Sequence, residues 1–334
     1  MSRCNARPRR FPFASVLAIL VAAMIAAGAA PAWAQSAFPN RPIRILTQFP
    51  PGAVSDISLR ILADRAGARL GTQIIVQNQP SAAGVTAARE ALAAPADGYT
   101  LAMLSNATAV SAATYQHMPF DPVTDFTAIS GMSGFAYLFL TNYESSLHTM
   151  QDFLAAAKEQ PGKLNVGTSA AGTTPYLTAL LFKKAAGIDF TIVPYKGAPD
   201  LTVALLRSDI DVAINAYGGY REAFVDKKLR ALAATTASRT VFLPDVPTTA
   251  EAGIANFEVA SWNGIFASAQ TPAPVIEKLA QAFHEALAED GLKQKFLDLG
   301  VEPWPGSGAD LSARMKSEIA RWNKVVDDNK IERQ

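Results

Sequence analysis

The chain has 334 residues, 49% of them hydrophobic, and its 30 Lys and Arg stand against 29 Asp and Glu. This length and apolar content predict a packed globular protein with room for two lobes. The near balance of charge argues against binding to nucleic acid or to anionic membranes through bulk charge.

The first 34 residues have the pattern of a secretory leader peptide. Four arginines among the first ten residues precede an apolar run over residues 14–30, and Ala32–Trp33–Ala34 offers a cleavage site before Gln35. The alternative is a membrane anchor, but the run is shorter than the roughly 20 residues that span a bilayer. We therefore predict that residues 1–34 are a cleaved signal peptide and that the mature protein is periplasmic.

Cleavage would change both the charge and the cysteine content of the protein. The leader carries four of the basic residues and none of the acidic ones, so the mature chain would have a formal charge of −3. The only cysteine, Cys4, would be removed with it. A chain without cysteine has no disulfide, no thiolate metal site and no cysteine nucleophile.

Beyond the leader, short β-rich runs alternate with runs of helical periodicity. The predicted strands cover residues 43–47, 74–76, 99–104, 164–167, 190–193, 210–214 and 229–235. The predicted helices between them cover residues 59–70, 84–94, 153–159, 176–186 and 201–206. Such alternation predicts an α/β protein with mostly parallel sheets.

The C-terminal third contains two amphipathic helices instead. One apolar face runs from Ile276 to Leu287 and another from Leu311 to Val326. The apolar face of each helix must pack against a sheet, and we expect this to be the N-terminal sheet. The chain would then cross between lobes near residues 135–141 and 257–262. We predict a first lobe of residues 35–136 and 259–334 and a second lobe of residues 137–258.

Two strand-to-helix loops combine glycine with small polar residues. Loop A covers residues 49–56, and loop B covers residues 167–175. A helix N-terminus presents unpaired N–H groups and a partial positive charge, which suits a carboxylate. The hydroxyl groups of these loops could instead only cap the helices. Two similar loops, one in each predicted lobe, favour a ligand held between the lobes.

Several ordered segments carry a resemblance to a known family. They are Arg41–Pro42–Ile43–Arg44, Phe49–Pro50–Pro51–Gly52 with Asp56, Ala96–Asp97–Gly98–Tyr99–Thr100–Leu101, Phe120–Asp121–Pro122 with Asp125–Phe126, Pro161–Gly162–Lys163–Leu164, Val193–Pro194–Tyr195–Lys196–Gly197, Leu229–Arg230–Ala231–Leu232–Ala233, Leu243–Pro244–Asp245–Val246–Pro247–Thr248 and Ala250–Glu251–Ala252–Gly253. With these segments the chain resembles the extracytoplasmic receptors of the tripartite tricarboxylate transporter system, also called the Bug receptors.

The resemblance implies a two-lobed periplasmic-binding-protein (flytrap) fold, in which each lobe is a mostly parallel sheet flanked by helices. It also implies a small di-, tri- or aromatic carboxylate ligand, held mainly by backbone N–H groups and hydroxyls, and a membrane permease as partner. The ligand-binding positions that it implies are Phe49, Gly52, Ala53 and Asp56 in loop A, Ser105 and Asn106, Thr168, Ser169, Gly172, Thr173 and Thr174 in loop B, and Asn215.

The chain departs from the family pattern at four positions. Ala53 and Ala82 stand where the family has glycine, and Ala170 and Tyr176 stand where Gly and His are common. A Cβ at residue 53 narrows the approach of a ligand to the backbone. The departures leave the class of ligand unchanged and prevent transfer of a particular substrate from a relative.

Some residues have two readings from the sequence. Asp56 either complements the dipole of its helix or faces the cleft, where it could bind an ammonium group or orient a bridging water. Tyr137, Tyr217 and Tyr220 either line the cleft, which would favour an aromatic acid, or belong to the core or surface. Lys196 is expected to pair with a neighbouring carboxylate.

The sequence offers little other chemistry. His117, His148 and His284 lack further ligands at metal-binding spacing, so we predict no metal, no cofactor and no catalytic residue. Ser169 would be the nucleophile of a secreted hydrolase, an alternative weakened because the second Gly of the G-x-S-x-G pattern comes one position late. A sensor for a two-component system with the same fold remains open, and we expect a monomer.

Overall fold

The computed structural model describes residues 38–80, 84–255 and 257–333, so the predicted leader peptide and Ala82 lie outside the described residues. The elements all belong to one unit, Arg41–Gln334. Its strands are β1 (Ile43–Thr47), β2 (Ile74–Asn78), β3 (Thr100–Ser105), β4 (Phe126–Asn142), β5 (Asn165–Ser169), β6 (Thr191–Tyr195), β7 (Val212–Ala216), β8 (Leu229–Ala234), β9 (Ala260–Ser268) and β10 (Glu302–Pro303).

The helices lie between these strands and after them. They are α1 (Val54–Leu70), α2 (Val85–Ala93), α3 (Asn106–Thr114), α4 (Met150–Glu159), α5 (Thr174–Ala186), α6 (Ala198–Leu206), α7 (Arg221–Val225), α8 (Ala273–Ala288), α9 (Asp290–Asp298) and α10 (Gly308–Asp328). A short 3₁₀ turn, Tyr217–Gly219, follows β7.

The first group of strands has the order β2-β1-β3-β9-β4. β1 pairs in parallel with β2 and β3, whereas β9 runs antiparallel to both β3 and β4. Every residue of β3 is buried, as expected for an inner strand covered on both faces. The parallel strands β1, β2 and β3 therefore place their carboxyl ends, and loop A with them, at one edge.

The second group has the order β4-β7-β5-β6, and β8 also pairs with β4. β5 pairs in parallel with β6 and β7, so loop B begins at their shared carboxyl edge. The 17-residue strand β4 belongs to both groups, because Ala136 pairs with Ala260 of β9 and Tyr137 pairs with Ala216 of β7. β4 thus carries the chain from one group of strands to the other.

The C-terminal helices return to the first group. α8 packs against α1 and β4, and α10 packs against α3 and β4. The predicted apolar stripe of α10 is buried at Leu311, Met315, Trp322 and Val326, because helical spacing puts these side chains on one face. The exact lobe bounds given above stay a prediction.

Several elements have no counterpart in the sequence-based prediction. α3 is made of small residues that are buried on nearly all sides, so it has no amphipathic stripe to reveal it. β9 extends to Ser268, far beyond the predicted crossing at residues 257–262, and α9 was not predicted. Pairing between distant strands, which local periodicity does not encode, decides the length of β4 and β9.

Candidate functional site

Loop A folds back onto the helix that it opens. Gly52 has a φ of +83°, and its N–H donates to Oδ2 of Asp56 at 2.9 Å. The N–H of Ala53 donates to the carbonyl of Pro50 at 3.2 Å. Ala53 is the N-cap of α1 with extended backbone angles and makes no side-chain cap bond. The backbone amides of Gly52 and Ala53 are therefore used within the loop, whereas the first turn of α1 has no side-chain cap.

Asp56 is the carboxylate that shapes loop A. Its side chain is 2% exposed, and it accepts from Asn78 Nδ2 at 2.7 Å and from Arg60 Nε at 3.2 Å in addition to Gly52. Burial raises the pKa of Asp56, but the hydrogen bonds from Arg60, Asn78 and Gly52 outweigh it and hold the pKa below its ordinary value. Since both oxygens have protein donors, this geometry favours the reading of Asp56 as a loop-forming residue.

A buried polar layer connects loop A with β3, β4 and β9. Gln48 Nε2 donates to Oγ of Ser105 at 2.8 Å, and Ser105 caps α3 in a capping box. Asn263 Nδ2 donates to Ser133 Oγ at 3.1 Å and to Ser55 Oγ at 3.3 Å. All five side chains are buried, so these uncharged groups fix the position of α1 relative to the strands beneath it.

Asn106 and Ser261 also belong to this polar layer, and Asn106 joins the first group of strands to loop B. Its Nδ2 donates to Thr174 Oγ1 at 2.8 Å and to the Tyr137 hydroxyl at 3.3 Å, and its Oδ1 accepts from Ser261 Oγ at 2.7 Å. Asn106 is 3% exposed and Thr174 is the first residue of α5. Burial raises the pKa of the Tyr137 phenol, so Tyr137 stays a neutral partner. One amide thus links elements that are distant in sequence.

Loop B leaves the N-terminus of α5 without a side-chain cap. Thr173 is the N-cap, but its hydroxyl donates to the carbonyl of Ala170 at 2.7 Å. Gly172 has a φ of +80°, and a Cβ there would meet no atom within 4 Å, so its surface is open to an approaching group. Thr168 is fully buried and donates to the carbonyl of Ser169, which leaves Ser169 as the partly exposed hydroxyl at the end of β5.

A cavity of about 360 Å³ adjoins loop B. Its walls are one face of α3, with Ala107, Val110 and Ser111, and residues 171–175 of loop B. Hydroxyl and apolar groups line it, and no charged side chain is among its lining residues. Such a cavity suits the uncharged part of a small ligand whose anionic group is held by the loops.

Other residues considered in the sequence analysis have partners outside the polar layer. Phe49 is half-buried, and its carbonyl accepts from Asn78. Asn215 bonds to the hydroxyl of Tyr220 at 3.1 Å and to the N–H of Ala216 at 2.8 Å. Tyr217 stacks on Phe242 with ring centroids 4.9 Å apart, which is a core position. Lys196 is exposed and makes no ion pair within residues 38–80, 84–255 and 257–333, so the pairing expected for it was wrong.

Sequence reasoning missed four residues of the polar layer, namely Gln48, Ser133, Ser261 and Asn263. The alternation along β9 could have indicated two of them, because Ser261 and Asn263 flank the buried Trp262. The pattern of that segment was interpreted only as a crossing between lobes.

The described residues contain neither a helix that is long and apolar enough to cross a membrane nor a group of three metal-ligating side chains. They show no hydrogen bond between Ser169 and a histidine. Nε2 of His284 instead lies 3.2 Å from the carbonyl oxygen of Gly306.

The fold and the paired loops define the class of protein. Two groups of strands share β4, and each directs the carboxyl ends of its parallel strands toward a loop that opens a helix. This is the two-lobed fold of the periplasmic binding proteins, as the sequence predicted.

The chain belongs to a particular family within that class. Residues 58–331 match the model of the tripartite tricarboxylate transporter family receptor, so the resemblance seen in the sequence is confirmed. The chain is 29% identical to the protein BugT of Bordetella pertussis over 313 residues, which covers 93% of this chain and 96% of BugT.

Two solved structures are similar over most of their length. Rpa4515 of R. palustris with adipate shares 30% identity at a TM-score of 0.72, covering 87% of this chain and 97% of Rpa4515. MatC (Rpa3494) of Rhodopseudomonas palustris with bound malate shares 28% identity at a TM-score of 0.70, covering 86% of this chain and all of MatC.

Proposed function

We propose that this protein is a periplasmic receptor that captures a small carboxylate between loops A and B and delivers it to a membrane permease. The observation that carries the proposal is the buried polar layer that joins the N-termini of α1 and α5, through Ser55 and Thr174, at two helix starts that have no side-chain cap. Ser105 and Asn106, at one strand end, bond to Gln48 and Thr174 respectively, next to the two loops. The relatives with adipate and malate support the same chemistry.

Uncharged donors would hold the carboxylate. The first turns of α1 and α5 offer backbone N–H groups and the positive ends of two helix dipoles. Gly172 gives open access to the backbone of loop B, and Ser169 and Thr173 supply hydroxyls. The remaining part of the ligand would lie in the cavity beside α3. In the proposed site Asp56 and Thr168 hold the loops in shape, whereas a contact of Phe49 or Asn215 with the ligand stays a prediction from the sequence.

A thermal-shift comparison of adipate, malate and neutral adipamide tests the proposal. The protein is unfolded and refolded first, so that no ligand from the expression host stays bound. A carboxylate at about 100 times its dissociation constant should stabilise the protein by about 2.7 kcal/mol, and adipamide should not. Equal shifts with the acid and the amide, or none with any of a panel of carboxylates, would refute a carboxylate receptor.

The processing, assembly and role of the protein need separate measurements. N-terminal sequencing of the exported protein should begin at Gln35, and light scattering should report a monomer. Uptake of the ligand by cells should require both this receptor and a permease, which would separate transport from sensing. Ser169→Ala should lower the affinity for the ligand. We expect no ester hydrolysis by either the parent protein or this variant, because we propose a binding protein and not an enzyme.

A further inference from the structure

A second cavity, of about 430 Å³, lies between α10 and the chain that enters β9. Glu258 and Ala260 form one wall, and Arg314, Ser317, Glu318 and Arg321 of α10 form the other. None of these residues belongs to loop A, loop B or the polar layer. Along β9, Ser261 and Asn263 bond within the polar layer, whereas Ala260 and Trp262 alternate with them and point to the opposite face.

Two guanidinium groups are held in place beside this cavity. Nε of Arg314 donates to Oε1 of Glu318 at 3.3 Å, and NH1 of Arg321 donates to the carbonyl of Glu258 at 2.6 Å. Arg314 lies over the ring of Trp304 at 5.0 Å, and Arg321 lies over the ring of Trp322 at 4.8 Å. The two terminal nitrogens of Arg314 make no hydrogen bond to any described residue, so a fixed guanidinium keeps donors for a further partner.

Buried polar atoms without a hydrogen-bond partner concentrate where α10 packs against β9. We call the charged and indole side chains at this place the arginine–tryptophan cluster, and its members are Trp262, Trp304, Arg314, Glu318, Arg321 and Trp322. Among the described residues, five buried side-chain polar atoms lack a hydrogen-bond partner, and four belong to this cluster. They are the indole nitrogens of Trp262 and Trp322, Nε of Arg321 and Oε2 of Glu318.

Such atoms are normally satisfied by protein, water or a ligand. The indole N–H of Trp262 acts on the Glu318 carboxylate as a donor. The donors left without an acceptor are therefore the Trp322 indole nitrogen and Nε of Arg321, and of these two residues Arg321 lines the cavity. The cavity next to it is lined by the arginines and by Ser317, which adds a hydroxyl. An acceptor-rich group with negative charge meets this demand best, because guanidinium donors match the geometry of carboxylate, sulfate and phosphate.

We propose that this cavity is a second binding site, which takes a small oxyanion on Arg314 and Arg321. The site is separate from the proposed carboxylate site, since it lies on the other face of β9. It also contacts Glu258, in the segment through which the chain reaches β9.

The acidic residues at the site set its dependence on pH. Glu258 is exposed at the rim, and Glu318 is 4% exposed. Burial raises the pKa of Glu318, although the charges of Arg321 and Arg314 act against the rise. When Glu318 takes up a proton, the two guanidinium charges face only the carboxylate of Glu258. Anion binding and protonation of Glu318 therefore favour each other, and affinity should increase as the pH falls. The charge of Glu318 also acts on Tyr137 of β4. Burial, and to a smaller extent this charge, raise the pKa of Tyr137 and keep its phenol protonated.

Tryptophan fluorescence gives a local readout of this site. The chain has four tryptophans, and Trp262, Trp304 and Trp322 all belong to the cluster. Trp33 lies outside the described residues and is replaced by Phe in every sample. Sulfate is the probe because its charge is constant between about pH 5 and 8, and the full chain is titrated at constant ionic strength. We expect a saturable fluorescence change that tightens toward low pH.

Matched variants decide whether the cavity is responsible. Arg314→Gln should weaken sulfate binding by about 10- to 100-fold, as for the loss of one bidentate charged contact. Lys324→Gln removes an exposed cation from the same helix and should leave the affinity unchanged. Ser317→Leu fills the cavity from an exposed position, which keeps the test valid if Arg314→Gln does not fold.

Acetate and phosphate serve as further arms of the same titration. A stronger response to acetate would identify a carboxylate ligand, and a stronger response to phosphate or sulfate a tetrahedral one. Equal sulfate affinity in the parent protein, Arg314→Gln and Ser317→Leu, or no saturable response to any of the three anions, would overturn the proposal. Both results are independent of whether adipate binds between loops A and B.

Discussion

At the scale of single residues, the carboxylate of Asp56 stabilises the conformation of loop A in addition to complementing the dipole of α1. It accepts from a backbone N–H, an amide and a guanidinium at once. Its depressed pKa means that the folded state favours the ionised form. The resulting stabilisation is complete above the unfolded pKa of about 3.9 and is lost as the pH falls through the lower folded pKa.

We therefore predict that Asp56→Asn lowers the free energy of unfolding by about 2 kcal/mol at pH 7, the value of one hydrogen bond to a charged group. The difference from the parent protein should shrink as the pH falls below 4, because the parent loses the same interaction there. Urea unfolding at pH 7 and at low pH measures both effects. Asp64→Asn, on the exposed face of the same helix, is the control and should change little. A difference that is constant with pH would contradict the charge-based explanation.

At the scale of elements, the helices divide by the way in which they begin. Ser105, Thr149 and Ser307 form complete capping boxes at α3, α4 and α10, whereas the other helices, α1 and α5 among them, begin without a side-chain cap. Leaving first-turn N–H groups uncapped costs stability. The uncapped starts of α1 and α5 are the positions at which we propose that a ligand carboxylate supplies the missing acceptor.

Ala53→Ser tests this division directly. Ala53 already has the extended backbone angles of an N-cap, so a serine hydroxyl there should accept from the first turn of α1. We predict that the ligand-free protein becomes more stable by about 0.5–1 kcal/mol, while its affinity for the carboxylate identified by thermal shift falls several-fold because the hydroxyl competes with that carboxylate. Ser307→Ala is the control at a capped helix outside the proposed site, and it should lower the stability by about 1 kcal/mol and leave the affinity unchanged. Calorimetric titration and urea unfolding measure the two quantities. Higher stability with unchanged affinity would show that these amides do not bind the ligand.

At the scale of the whole molecule, β4 links the two groups of strands, and Asn106 ties the first group to α5. A ligand that contacts both loops binds the closed arrangement more tightly and so shifts the population toward it. The buried polar layer lies between the two loops and would stay in place while they close around the ligand. Asn106 is its central member, because three partners depend on it.

We predict that a carboxylate identified by the thermal-shift comparison lowers the radius of gyration measured by small-angle scattering, and that its neutral amide does not. Asn106→Ala should reduce this response and lower the free energy of unfolding by about 2–3 kcal/mol, since it leaves buried hydroxyls of Thr174, Tyr137 and Ser261 without their partner. Asn215→Ala, which removes a half-buried amide outside the layer, is the comparison. The same scattering change in both variants would show that Asn106 does not couple the loops.

The sequence by itself determined the α/β class, the family and the two loops. Strand and helix patterns are local, and the apolar residues of β1 and α10 recur at periods that the chain alone reveals. Loops A and B are local features as well, because each set of glycine and hydroxyl residues directly follows a strand pattern and precedes a helical one.

Only the tertiary structure decided which side chains meet. Gln48, Ser133, Ser261 and Asn263 come from β4, β9 and the end of β1, and no local pattern sets their mutual distances. The same holds for Asp56 of α1, whose role depends on Asn78 of β2, and for Arg321 of α10, which donates to the carbonyl of Glu258 just before β9. The physical reason is that long-range strand pairing and helix packing bury these groups, and burial makes each of them require a partner.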